Sequence, residues 1–132
     1  MRRGHGPGAR CRRPLGPGRW EVQARIERFV EPALLLLLRE RPRHGYELLE
    51  LVPEIARQER RVDLGNLYRA LRALEEEGVV TSEWESGQPG PARRTYALTD
   101  AGRRLLDDWA AALAGAQATI AAFLDRYEQG RG

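Results

Sequence analysis

The sequence predicts a mainly α-helical chain with one small β-hairpin, built as one compact body that ends in a long helix. Three observations predict it. Apolar residues recur at three- and four-residue spacing in separate stretches, most regularly at Leu64, Leu67, Leu71 and Leu74 and again from Leu106 to Tyr127. Between residues 80 and 98 the period drops to two, around a turn-rich stretch reading SGQPGPA. A length of 132 residues with 42% hydrophobic content supports one real core and is too short for two comfortable ones.

Residues 1–19, MRRGHGPGARCRRPLGPGR, place Gly or Pro at almost every second position and offer little to bury, so a disordered tail is expected. From Trp20 the texture changes. Val22, Ile26, Phe29 and Val30 form a helical stripe, and Pro32 either kinks that helix or opens the next. Leu34 to Leu38 is apolar on every side, which in so small a body implies covering partly by a second chain. Arg41-Pro42 stops it. In RHGYELLELV, Leu48, Leu49 and Val52 mark one face of another helix that Pro53 ends or kinks.

Asp63 is a good N-cap for the helix of the four leucines, and Glu77-Gly78 closes it on a C′ glycine. Val80, Ser82 and Trp84 then alternate with Thr81 and Glu83, and Arg94, Tyr96 and Leu98 with Thr95 and Ala97, giving two strands of a hairpin. Thr99-Asp100 caps a last helix to about Gln129. Its apolar positions, Leu106, Trp109, Leu113, Ala116, Ile120, Phe123 and Tyr127, alternate spacings of three and four, a heptad seam longer than one small body covers. A second copy of the chain is the expected cover.

Charge narrows the function classes. Formal net charge is +3, but residues 1–19 hold six arginines and no acid, while residues 20–132 hold the other sixteen arginines against all nineteen acids, a net of −3. The basicity therefore belongs to the tail, and a nucleic-acid contact by the body must be a local patch. The clustered arginines suit a non-specific arm on phosphate as well as a solvated tail. Cys11 stands alone, so neither a disulfide framework nor a zinc cluster is expected, and a reducing cytoplasm is the default. The longest apolar run, Ala33 to Leu38, is far short of the roughly 20 residues a membrane span needs. His44 and Glu47 share a helical face but lack a third ligand, so no metal or other cofactor is expected. His5 lies in the tail, His44 has no nucleophile evident nearby, and no glycine loop cradles phosphate, so the chain is read as a non-enzyme.

A helix pair ending in a helix that displays Asn66, Arg69 and Arg72 outward, followed directly by a two-stranded wing, is the winged helix-turn-helix arrangement. The division expected is a tail over 1–19, a winged helix-turn-helix domain over 20–98 with its recognition helix at 63–77 and wing at 79–98, and a C-terminal dimerisation helix over 99–129. HGYEL at 44–48, LYRALRALEEEGVV at 67–80 and RRTYALTDAGRRLL at 93–106 resemble the PadR family of bacterial transcriptional regulators, over roughly Glu31 to Leu113. The middle stretch alone is shared with other winged-helix regulators such as the MarR family; its combination with HGYEL singles out PadR. Pro53 and the Gly/Pro/Arg tail depart from the family pattern.

The resemblance implies a homodimeric regulator of double-stranded DNA, usually a repressor, released by a signal such as a small-molecule effector. It also implies that helix 63–77 enters the major groove. The N-terminal turns of such a helix reach base edges, which singles out Gly65, Asn66 and Arg69, with Arg72 toward phosphate. The Tyr68 hydroxyl is assigned to a phosphate or its ring to packing under the wing. Arg93 and Arg94 at the wing tip, and Arg60 and Arg61 before the N-cap, complete the expected DNA contacts. The expected dimer interface joins Leu34, Leu35 and Leu38 to Leu106, Trp109, Leu113, Ile120, Phe123 and Tyr127. Trp109 is a candidate to stack on an effector or to serve as interface core. The alternative function is a winged-helix protein-interaction module that binds no DNA, which the net acidic body allows.

Overall fold

The computed structural model describes residues 12–17, 19–22, 29–56, 63–85 and 93–131. Helices dominate: α1 (Val30–Glu40), α2 (Gly45–Ile55), α3 (Leu64–Glu76) and α4 (Asp100–Arg131). Strands β1 (Arg12–Gly16) and β2 (Arg19–Val22) form an antiparallel pair, and β3 (Arg43–His44), β4 (Val80–Trp84) and β5 (Arg94–Leu98) form a second sheet in the order β3-β5-β4.

Two expectations for the amino-terminal part need correction. Arg12–Gly16 and Arg19–Val22 pair as antiparallel strands, with Arg12 opposite Val22 and Pro14 opposite Trp20, where a disordered tail and then a helix were expected. Val22 thus ends a strand, and the helix begins at Val30. Backbone pairing between strands needs no apolar side chains, so composition alone misses it. Residues 1–11, with His5 and Cys11, and most of the expected stripe between Val22 and Phe29, lie outside the described residues.

Pro32 is the third residue of α1, within the first turn, where a backbone N–H would have no helical acceptor anyway, so it neither kinks the helix nor takes the first position expected of it. Leu34 and Leu35 are 0% exposed, and Leu37 and Leu38 are nearly so. The cover is the chain's own α2, α4 and β5, all of which pack on α1. The apolar-all-round helix therefore takes no second chain to bury it, and Leu34, Leu35 and Leu38 have almost no surface to give to an interface.

The junction between α1 and α2 is fixed by charge. Buried Arg43 donates through Nε to the Leu37 carbonyl at 3.0 Å, which also accepts the Arg41 backbone amide at the end of α1, and bonds Glu40 at 2.8 Å. Glu47 accepts from the His44 backbone amide at 3.0 Å and from Arg41 at 2.8 Å. The amide bond chiefly, helped by Arg41, holds the Glu47 carboxyl below its ordinary value against the opposing effect of burial. His44 and Glu47 thus serve the turn. Helix α2 runs two residues past Pro53, which occupies its last turn, and buries Leu48 and Val52.

Helix α3 buries Leu67, Leu71 and Leu74 against the core. Its end is a Schellman motif: Gly78 at φ +80° donates to the Glu75 carbonyl and Val79 to that of Leu74. The register Val80–Leu98, Ser82–Tyr96 and Trp84–Arg94 puts these six on the inner face of the wing. Tyr96 is fully buried there, and burial pushes its phenol up to about 12. Thr99 caps α4, accepting from the Gly102 amide at 3.0 Å and donating to the Gly78 carbonyl at 2.8 Å. A Cβ on Gly102 would collide with the Val79 carbonyl and the Leu98 side chain, so α4 packs this closely only with glycine there.

Candidate nucleic-acid interface

Asp63 holds the entry of α3. One of its carboxylate oxygens accepts from the Asn66 amide at 2.7 Å, and the other from the Asn66 side chain at 3.2 Å. The Asn66 carbonyl oxygen in turn accepts a hydrogen bond from Arg69. A chain of three side chains therefore runs along the first turn and a half, and all three are exposed. The leucines opposite anchor the same turns in the core, so the sequence rigidly presents a donor-and-acceptor surface with one guanidinium. The partial positive charge of the α3 N-terminus lies at this same end.

Gly65 lies between these residues with ordinary helical backbone. An added Cβ would meet only the Asp63 carboxylate at 3.4 Å and Arg69 at 3.9 Å, both in the range of van der Waals contact. The fold itself therefore has room for alanine at 65. One turn on, the Arg72 guanidinium stands 4.9 Å from the ring centroid of half-buried Tyr68, and their hydrogen bond is the leading cause that raises the Arg72 pKa. Tyr68 thus supports Arg72 beside the exposed face.

The wing supplies a further exposed cation. Arg93 precedes β5, is exposed, and lies 5.8 Å from the ring of Tyr46 on α2. Sequence reasoning missed Tyr46, although its place on the face of α2 opposite Leu48 and Val52 marks it as outward. Arg94 sits differently from expectation. Its guanidinium lies over the Trp84 ring at 4.1 Å, donates to the Ser82 hydroxyl at 3.3 Å and pairs with Glu75 at 3.7 Å. With its side chain 24% exposed, it is held inside the wing and not at its tip. Arg60 and Arg61 lie outside the described residues, as does most of the turn-rich loop of the wing.

The C-terminal helix divides in two. Leu106 is buried in the chain's own core, and Trp109 is half-buried with its indole N–H donating to Glu31 of α1 at 2.7 Å. These two expected interface residues are engaged within one chain. Leu113 is half-buried, and every residue from Ala114 to Arg131 is exposed. Ile120 (56% exposed), Phe123 (68%), Leu124 and Tyr127 make an uncovered apolar stripe. Leu124 lies beside the strict three-four alternation, so the heptad spacing does not include it.

Among the described residues no group of three or more His, Cys, Asp or Glu gathers as a metal site, and no helix is long and apolar enough to cross a membrane.

Comparison with known proteins places this arrangement. The profile of the Transcriptional regulator PadR-like family matches residues 34–108, from α1 through the wing into α4. No curated protein matches the sequence. Among solved structures, a PadR family transcriptional regulator of Eggerthella lenta is 30% identical, with a TM-score of 0.59 over 73% of this chain and 81% of that one. PadR of Bacillus subtilis, solved in complex with operator DNA, is 29% identical, with a TM-score of 0.52 over 62% of this chain and 47% of that one. A PadR family regulator of Clostridium difficile shares the fold at 22% identity, with a TM-score of 0.62 over 73% of this chain and 98% of that one. The profile spans more than half of the sequence and takes in α3, the wing and the α4 cap: this chain belongs to the PadR-like family of transcriptional regulators.

Proposed function

We propose that the protein is a sequence-specific DNA-binding repressor acting as a homodimer in the cytoplasm. Helix α3 enters the major groove, Asn66 and Arg69 reading base edges while Arg72 and Arg93 meet phosphate; Arg60 and Arg61 add phosphate contacts beside α3. The observation that carries this reading is the exposed Asp63–Asn66–Arg69 chain on the first turns of a helix whose opposite face is locked in the core. Asn is suited to adenine and Arg to guanine, each good pair giving about 1–3 kcal/mol of discrimination. The solved complex of the Bacillus subtilis relative with operator DNA supports it.

Two copies join through Ile120, Phe123, Leu124 and Tyr127, whose exposure in the single chain is what a second helix would remove. A signal that releases DNA, carried by an aromatic effector at Trp109, must compete with the Glu31 hydrogen bond that holds the indole in place.

Footprinting the full chain on the DNA upstream of its own gene tests this. The expected pattern is two related half-sites an integral number of helical turns apart, since paired recognition helices are spaced by the duplex repeat. Absence of any protected site at low salt would leave the protein-interaction module as the better reading.

A further inference from the structure

Three residues where the wing meets the end of α3 form a link that base reading by α3 does not itself require. Glu75 lies in the last turn of α3, where the negative end of the helix dipole disfavours an acid, and DNA phosphate near the reading face would disfavour it further. Its carboxylate nevertheless receives the Ser82 hydroxyl of β4 at 2.8 Å and faces the Arg94 guanidinium of β5 at 3.7 Å. Arg94 also donates to Ser82 and is roofed by Trp84, and its Nε is buried with no hydrogen-bond partner. A guanidinium so largely removed from water depends on its remaining partners. Both strands of the wing are thereby tied to the recognition helix by one polar cluster.

We propose that Glu75, Ser82 and Arg94 form a clamp that fixes the angle of the wing to α3. In it Arg94 is a positioning residue that acts through the wing and does not itself touch DNA. The proposal rests on the reading of α3 and the wing as DNA-binding elements, and it makes an acid on α3 necessary for binding a polyanion. If Arg94 were instead a phosphate contact, removing Glu75 would free it and delete a repulsive charge, so binding would tighten.

The sign of the Glu75→Gln effect on affinity for the footprinted site therefore decides. The clamp predicts about fivefold weaker binding, the upper range for a partly exposed ion pair, and a similar loss for Ser82→Ala, which guards against a defect peculiar to either variant. It also predicts that Arg93→Gln costs less affinity in the Glu75→Gln background than alone, because an unmoored wing no longer delivers Arg93. A readout without DNA separates this from the functional reading. Spin labels on cysteines placed at Ala73 of α3 and Glu83 of the wing, in a Cys11→Ser background diluted with unlabelled chain, should give one narrow distance within the protomer that Glu75→Gln broadens. Broadening in a chain that binds no DNA would keep the clamp and overturn the functional reading. Tighter or unchanged DNA binding, an Arg93 effect that adds independently, or an unchanged distance distribution would overturn the clamp.

Discussion

Asp63 is joined twice to Asn66, by the backbone amide at 2.7 Å and the side-chain amide at 3.2 Å. The same carboxylate thus starts α3 and orients a residue of the proposed reading face. Asp63→Ala removes both bonds. It should cost about 1 kcal/mol of stability, the usual value of a helix N-cap, measured by urea unfolding. It should also weaken operator binding, although it deletes a negative charge near DNA. A variant that loses the stability but binds more tightly would show that Asp63 caps the helix without orienting Asn66.

Gly65 separates the needs of fold and function. Alanine fits the space and has the higher helix propensity, so Gly65→Ala should leave stability unchanged or raise it by up to about 1 kcal/mol. The added methyl would stand on the exposed face between Asp63 and Asn66, where backbone and DNA are proposed to approach closely. Operator affinity should then fall about tenfold while the thermal midpoint holds or rises. Equal affinity would place that part of α3 away from the bases.

Phe123 is the most exposed large apolar side chain of the α4 stripe, at 68%. Phe123→Asp should shift the sedimentation velocity profile from dimer to monomer, while circular dichroism of the folded domain is retained, since that part of α4 is exposed and, among the described residues, no core side chain packs on it. The corresponding change at Leu34 or Leu106 should instead unfold the chain, because these side chains fill its own core. A native chain that sediments as a monomer would remove the dimer from the account.

Local pattern made much of this fold legible, and long-range contact decided the rest. The capped leucine helix, its glycine stop, the period-two wing and the Thr99 cap rest on neighbours within four residues or on one hairpin, and each stands where the sequence puts it. Strand β3 is only Arg43–His44, too short to show a period, and exists because β5 lies alongside it. Apolarity on all sides of α1 reads the same whether the cover is a partner or the chain's own α2, α4 and β5. The heptad seam likewise shows no seam between Leu106, inside the core, and Ile120, outside it. At the candidate site, outward Asn66, Arg69 and Arg72 follow from helical spacing alone. The capture of Arg94 by Glu75, nineteen positions earlier, follows only from how the wing folds back on α3.

The central claim is that the outward face of α3 reads DNA sequence, and the most direct measurement is the affinity of Asn66→Ala/Arg69→Ala for the footprinted site and for unrelated DNA of equal length. Both side chains are exposed, so the fold should be unaffected. The account predicts a loss of about 2 kcal/mol or more per protomer on the specific site, with non-specific binding changed far less, so that the two affinities converge. An undiminished preference for the specific site in a folded double variant would contradict it.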